Sequence, residues 1–515
     1  MRNYMAAGRF YSREQIGRYF RTRFTSLKPP RTRLREPVAV LRDLDRHQWL
    51  MFTVGLLGWV WDAFDFFTVS FCLTEIVNEF ETTNTAVSWG ITVTLMLRSV
   101  GAIVFGAMSD RYGRKWPMII DLGLFIILEL GTGFTQNLSQ FLAVRSLYGI
   151  AMGGLYGPAA ATALEDLPYD ARGLLSGIFQ TGYSIGYLLA AVFYRALVPT
   201  TTHGFRSLFW FGAGPPVLII ALRWYLPETN TFLVMKAERE AALANGNEPT
   251  AMYGARAWLK DLASGLKSNW VLFVYLVILM TGYNSSSHGS QDLYPTFLKS
   301  QVELDATTVT VISVVGQFGS MIGSAGMGWL SSFVGRRLTM VTGCLYGAAL
   351  VPAYVLPRSD KLIASAFFQQ FAIGWVFGPV PVHLTEMAPP ALRSTVMGLT
   401  YQLGNLASSA SVTIQTTIGE RFPLPPDKDG VARYDYGKVI GIFLGVVWVF
   451  MAVVTFLGPE MSEEERAECS ASADYLEKLR KDGVSLADIG AQRAKATVEI
   501  IEDVGAKRKE NSSEV

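Results

Sequence analysis

The sequence predicts an all-α membrane protein of twelve transmembrane helices, arranged as two six-helix halves related by pseudo-symmetry. Three observations carry this. Half of the 515 residues are hydrophobic and only 17% are charged, whereas a soluble chain of this size carries about 25% charge. Apolar runs of about 20 residues, each long enough to cross a bilayer, recur from position 49 to position 457. Three segments of the first half also return in the second at nearly one displacement. "GAMSDRYGRK" (106–115) returns as "GWLSSFVGRR" (328–337), and "GPAAATALEDLPYDARGLLSG" (157–177) as "GPVPVHLTEMAPPALRSTVMG" (378–398). "FQTGY" (179–183) returns as "YQLGN" (401–405). Shared apolar composition alone does not fix Gly, Pro, Glu and Arg together at one offset. Parallel repeats of this kind build a central site for alternating access.

In chain order, residues 1–48 form a basic tail, with ten Lys or Arg against two Glu in the first forty, which favours a cytoplasmic N-terminus. The first run starts too late and is too long for a secretory signal. The first half, 49–226, holds spans at about 49–74, 85–108, 115–135, 140–163, 173–197 and 205–226. A polar linker, 227–268, contains the amphipathic "LVMKAEREAALA". The second half, 269–458, holds spans at about 269–297, 306–331, 336–356, 362–384, 392–416 and 438–458. A charged tail, 459–515, follows; an even number of spans places both termini in the cytoplasm. Trp49 and Trp270 at span ends read as interface anchors. Cys72, Cys344 and Cys469 lie far apart, with neither metal spacing nor a disulfide framework.

Polar residues at membrane depth are expected to face a cavity or the bundle interior. In the first span, "GWVWDAFDFF" places Asp62 and Asp65 three residues apart on one face. Each such acid costs about 2.5–3.5 kcal/mol on insertion scales, so a partner or a function is expected. Arg98, in "TLMLRSVGA" of the second span, is the available cation. It reads either as the receptor of a substrate carboxylate, bound bidentately, or as a structural partner of Asp62 or Asp65. Its counterpart in the second half is the uncharged Ser320. Arg145, at the start of the fourth span, reads as a span-end or packing arginine or as part of a proton path. Gln180 with Tyr183, and Gln402 with Asn405, are equivalent pairs in the two halves. They suit a cavity lining or interhelical hydrogen bonds.

The seventh span ends in "YNSSSHGSQDLYPTF" (283–297). Asn284, Ser287, His288, Gln291 and Asp292 recur at helical spacing and form one stripe. His288 and Asp292 are one turn apart and can share a proton or a hydrogen bond. Ser and Gln add neutral donors for a small carboxylate. Pro295 removes the helical bond to the Gln291 carbonyl and predicts a kink beside the site.

"GAMSDRYGRK" resembles the signature loop of the major facilitator superfamily, a resemblance that extends over about 45–460. It implies that Asp110, Arg111, Arg114 and Lys115 latch helix ends together, with Glu165–Arg172 and Glu386–Arg393 serving the same gating purpose. The second copy has Ser332 in place of the Asp, so only the first half is expected to keep the full charge pair. Within the superfamily, Asn284, Ser287, His288, Ser290, Gln291, Asp292 and Thr296 fit N-x-x-S-H-x-S-Q-D-x-x-x-T. This is similar to the signature of the fungal lactate/pyruvate–proton symporters. That resemblance gives His288 and Asp292 roles in proton coupling and substrate recognition.

The function expected is proton-coupled import of a small monocarboxylate, with lactate, pyruvate, acetate and propionate as candidates, in the plasma membrane. No ATP-binding signature is present, so gradients must supply the energy. A proton moving with an anion is electroneutral and is driven by the pH difference. Arg98, Asn284, Ser287, His288, Gln291, Gln180, Tyr183, Gln402 and Asn405 are the expected substrate contacts. Asp62, Asp65, His288 and Asp292 are the expected proton carriers. Apart from protons no cofactor or metal is expected, nor a nucleic-acid partner. The expected partners are the carboxylate and membrane lipid, and the expected state is a monomer. Alternatives are a proton-linked carrier of dicarboxylates or other organic anions, or a non-transporting nutrient sensor. An intramembrane enzyme lacks a nucleophile with an orienting base. Lys507 and Lys509 are candidate regulatory lysines in the tail.

Overall fold

The structure is a computed structural model. It describes residues 17, 19–27, 35–82, 84–244, 263–265, 267–359, 361–389, 392–426, 433–461, 478–479 and 483–492. Cys469, Lys507, Lys509 and most of both tails lie outside the described residues, as does 245–262 of the linker.

The first half comprises α1 (Arg46–Phe71), α2 (Asn84–Tyr112), α3 (Lys115–Gly133), α4 (Leu138–Leu164), α5 (Arg172–Leu197) and α6 (Arg206–Tyr225, interrupted after Gly212). The second comprises α7 (Trp270–Gln301), α8 (Ala306–Val334), α9 (Arg336–Val355), α10 (Leu362–Met387), α11 (Arg393–Ser408, continuing as Ser411–Gly419) and α12 (Tyr436–Leu457). Side-chain caps fix several starts. Asp45 forms a reciprocal capping box with Gln48 at α1, and Asn137, Asp305 and Asp435 cap α4, α8 and α12. The first segment of α7 ends at Gln291, and Asp292, Pro295 and a π turn at Phe297–Gln301 redirect the chain. The kink expected beside the site is present.

Among the described residues, nine of the twelve helices are apolar and long enough to be recognised as spans by composition. The exceptions are α4, α5 and α11. The cause is their position: α4 is buried without a break from Ala151 to Leu164, so neighbouring helices replace lipid around it. α5 and α11 carry the polar residues that line the interior.

The bundle has a linker end, where the 113–114 turn and the interdomain segment lie, and a far end. The halves meet closely at the linker end through small residues. A Cβ on Gly177 of α5 would lie 2.2 Å from the Ser324 carbonyl of α8, and one on Gly328 would lie 2.7 Å from the Gly173 carbonyl. The Ser176 hydroxyl donates to the Gly378 carbonyl at 2.8 Å and accepts from the Val382 amide at 3.0 Å. Such contacts leave no room for even a methyl group. Gly177→Leu is expected to hold the linker ends apart; the distance between spin labels on α5 and α8 should increase relative to wild type.

After α6 the linker forms a helix, Asn230–Ala244, which contains the amphipathic segment. It is docked through Asp166, in the turn between α4 and α5. The Asp166 carboxylate accepts from the amides of Asn230 at 2.8 Å and Thr231 at 3.0 Å, and meets His47 Nε2 at 3.0 Å. Residues 483–492 pack on this helix, with Ile489 buried.

Burial alone pushes the Asp166 carboxyl up, but hydrogen bonds from His47, Thr231 and Asn230 outweigh it and hold it below the ordinary 3.8. A carboxyl depressed on folding stabilises above its unfolded value and loses that contribution as pH falls through the folded value. Asp166→Ala is therefore expected to cost about 0.5–2 kcal/mol at neutral pH, as for a lost helix cap. In thermal unfolding of detergent-purified protein, the gap from wild type should close as the pH drops below about 4. A gap that stays constant into acid would contradict this docking role.

Candidate functional site

Between the halves lies a small cavity. α7 contributes Asn284, Ser287, His288 and Gln291 to its wall, and α11 contributes Tyr401 and Asn405. Arg98 comes from α2, Trp59 from α1, Gln180 and Tyr183 from α5, and Ser320 from α8. Eight of the nine expected substrate contacts line this one space. The exception is Gln402, which stands one step behind. Its Oε1 accepts from Asn405 Nδ2 at 2.8 Å, so it orients a wall residue. Positions 402 and 405 differ by about 60° around a helix, and only Asn405 faces in.

Arg98 is almost fully buried and bonded through Nη2 to Asp62 Oδ2. Among the described residues, Asp62 Oδ1 and Arg98 Nε have no hydrogen-bond partner. Asp65 does not share this arginine. Its carboxylate accepts from the Tyr148 hydroxyl of α4, beside Glu129 of α3 and Arg145 of α4. Arg145 binds Glu129 at 3.3 Å and lies over the Tyr148 ring, 4.3 Å from its centroid. The expected common face of Asp62 and Asp65 is thus split. The same 60° offset sends one toward α2 and the other into the α3–α4 interior. Arg145 is an interior ion-pair residue.

On α7, His288 Nδ1 meets Asp292 Oδ2 at 3.0 Å. Asp292 lies behind His288 at the helix end, outside the cavity wall. The histidine ring meets the Asn405 amide, and Phe66 of α1 in an edge contact with centroids 6.3 Å apart. Gln291 is fixed by amides: its Nε2 donates to Gln370 Oε1 at 3.1 Å, and its Oε1 accepts from Gln317 Nε2 at 3.3 Å. Gln370 in turn donates to the Ser290 hydroxyl at 3.2 Å. Thus Ser290 supports the wall from behind.

At the linker end, the expected latch is redistributed. Asp110 accepts from the amides of Ser394 at 3.0 Å and Thr395 at 2.8 Å. It caps the N-terminus of α11 from the other half of the molecule. Arg114 binds Glu165 through Nε at 3.1 Å and Nη2 at 2.8 Å. The pair expected between Glu165 and Arg172 is absent: Arg172 donates to the carbonyls of Leu167 and Glu165 instead. Likewise Glu386 takes Arg336 at 3.2 Å, while Arg393 reaches across to Glu165 at 3.8 Å. The second half therefore keeps its own arginine–glutamate pair, and the Ser332 hydroxyl accepts from Arg336 at 3.0 Å where the missing Asp would be. Arg111 lies over the Tyr112 ring outside the latch, and Lys115 donates to the Trp224 carbonyl at 2.7 Å.

Asp121, Glu129, Tyr148, Gln317 and Gln370 escaped the reading of the sequence. For the two acids a signal existed, since "MIIDLGLFIILEL" places lone carboxylates in an apolar span.

Two repeated helical halves, closed at one end around a polar cavity, define a membrane transporter. Residues 49–471 match the sugar (and other) transporter family, and the chain belongs to that family. It is 37% identical over 504 residues to a carboxylic acid transporter protein homolog of Saccharomyces cerevisiae, covering 95% of this chain and 82% of that one. It is 26% identical over 372 residues to a cis,cis-muconate transport protein of Acinetobacter baylyi, covering 72% of this chain and 87% of that one. A structure of the proton:xylose symporter XylE superposes with a TM-score of 0.64 at 17% identity, covering 82% of this chain and 99% of that one.

The Asp62–Arg98 pair yields a stability prediction. Asp62→Asn leaves a buried, uncompensated guanidinium and is expected to destabilise by about 3–5 kcal/mol. Adding Arg98→Gln should restore much of the loss, read as thermal unfolding of the single and double variants. If the losses simply add, the two residues are not coupled.

Proposed function

We propose that the protein is a proton-coupled symporter that imports small monocarboxylates, such as lactate or pyruvate, by alternating access. The observation that carries this reading is Arg98. Among the described residues it is the permanent cation in the cavity wall, and it faces the polar stripe of α7. One guanidinium suits one carboxylate, whereas a dicarboxylate would call for a second cation. The seven-residue match of α7 to the lactate/pyruvate symporter signature supports the substrate class. So does the yeast relative's name as a carboxylic acid transporter homolog.

The substrate carboxylate competes with Asp62 for Arg98. Asp62, once released, takes up the proton that accompanies the anion, so the translocated pair is neutral. Asn284, Ser287, Gln291, Asn405, Gln180 and Tyr183 supply neutral contacts to the rest of the small acid, with Gln402 steadying Asn405. His288 and Asp292 form a second proton-sharing unit at the wall, and Asp65 a third group behind it. In this reading the linker end faces the cytoplasm with both termini, in the plasma membrane. Asp110, Arg114, Glu165, Arg336, Glu386 and Arg393 hold that end closed until the halves rock. The transporter works as a monomer, with the proton as coupling ion, no other cofactor and no nucleic-acid partner.

The test is uptake of labelled lactate into cells lacking their own carrier, with and without an inward pH gradient, at matched surface levels. Uptake should rise with the gradient. It should fall about 10–100-fold in Arg98→Ala, the equivalent of a lost hydrogen bond to a charge of about 1.5–3 kcal/mol, and fall likewise in His288→Ala. Asp65→Asn should abolish gradient-driven accumulation. Uptake of a dicarboxylate with none of lactate would reassign the substrate. Transport of neither, at normal surface levels, would sink the reading.

A further inference from the structure

The interior of the first half carries more acid than base. Asp62, Asp65, Asp121 and Glu129 are each at most 1% exposed, and the buried arginines among them are Arg98 and Arg145. Arg98 is taken by Asp62, and Arg145 binds Glu129 near Asp65. Asp121 receives neither: it is buried in α3, and among the described residues neither carboxyl oxygen has a hydrogen-bond partner.

The four acids are ordered in space. A Cβ on Gly212 would lie 3.0 Å from Asp65 Oδ1 and 3.3 Å from Glu129 Oε1, which puts those two acids at one level; Gly58, a turn before Asp62, packs on Met118, a turn before Asp121. Asp121 is six residues into α3 and Glu129 fourteen, which separates them by about 12 Å along the helix, with Glu129 toward the far end. Asp62 and Asp65 bridge that interval from α1. The result is a ladder, Glu129–Asp65–Asp62–Asp121, that descends through the first half toward the linker end. Asp121, Asp65 and Glu129 lie outside the cavity wall.

The other charged groups on the helices around α3 have partners of their own. Arg206 and Arg223 of α6 bind Glu79 and Glu228, and Arg114 binds Glu165 and approaches Asp110. Lys115 donates to the Trp224 carbonyl. Arg111 stands over Tyr112, and the tyrosine of α4 that reaches these acids is Tyr148, whose hydroxyl donates to Asp65, whereas Tyr156 stacks on Tyr401. Without a counter-ion or a hydrogen-bond donor, a carboxylate at this depth is strongly disfavoured against its protonated form.

We propose that Asp121 is a proton-binding site, the inner end of an acid ladder that carries the coupling proton past the substrate cavity toward the linker end. The proposal rests on the symport reading above and adds a route to it. When substrate draws Arg98 away, Asp62 loses its cation and accepts a proton arriving from the Asp65–Glu129 side. Asp121 first releases its own proton toward the linker end, and the proton on Asp62 then passes to the vacated Asp121 carboxylate as Arg98 returns to Asp62. Each transfer breaks one O–H bond and makes another, and nothing else changes.

The experiment uses purified full-length protein in proteoliposomes, comparing wild type, Asp121→Asn and Asp121→Glu. Lactate counterflow without a pH gradient should persist in Asp121→Asn, whereas accumulation driven by a pH gradient should fall at least tenfold. Asp121→Glu should recover part of the accumulation. Infrared spectra of the same samples without substrate should show a protonated-carboxyl band in wild type that is lost in Asp121→Asn. Accumulation in Asp121→Asn equal to wild type would overturn the proposal. Equal loss of counterflow and accumulation in both variants would do so too, by giving Asp121 a purely structural role. If wild type transports no lactate, the symport reading fails separately. The infrared band then decides whether Asp121 holds a proton, and its absence in wild type overturns the site.

Discussion

The constraint on which the rest of the structure depends is that ionised groups within the bilayer must find partners. Water is not available there to solvate them, and an unpaired charge is strongly penalised. Arg98 and Asp62 satisfy one another across α1 and α2, and this pair sets the wall of the cavity. The arginine is held in place, yet among the described residues its Nε and the far oxygen of Asp62 have no partner. A buried ion pair is weak evidence for stability, because desolvation offsets much of the attraction. What it gives here is a cation kept at depth in the cavity wall with a single acid as its ion-pair partner.

How much of this was legible in the sequence follows from what each pattern encodes. The two halves and their offset could be read because repeated Gly, Pro and Arg mark backbone positions, and backbone positions survive any choice of partner. Eight cavity residues could be read because polar groups in apolar runs have few places to go. Their partners were less legible. Asp62 and Asp65 lie three residues apart, and about 60° of rotation sends them to different neighbours. Glu165 has Arg172 nearer in sequence but takes Arg114, because α4 ends against the turn before α3. Three spans also fall below a hydropathy threshold that assumes contact with lipid; α4 is enclosed by protein instead.

The linker end shows how two rigid halves can be joined without being fused. Asp110 caps a helix that belongs to the other half, and Arg393 reaches Glu165 in the opposite direction. Between them, α5 and α8 touch backbone to backbone at glycines. Hydrogen bonds to a helix terminus are directional and short in reach, so a small rotation breaks all of them together. Apolar burial of the same area would fade gradually.

The repeat is symmetric in backbone and asymmetric in charge. At the common offset, Asp62 and Asp65 face Asn284 and Ser287, and Arg98 faces Ser320. Beside the cavity the first half buries Asp62, Asp65, Asp121 and Glu129 with Arg98 and Arg145, whereas the second half supports its cavity wall with amides and hydroxyls through Gln291, Gln317, Gln370 and Ser290. Neutral amides hold a substrate's polar edge with little dependence on its protonation, and carboxyls near an arginine respond to every change of charge. The two chemistries thus occupy separate halves, and the cavity between them is where Arg98 lies opposite the polar residues of α7.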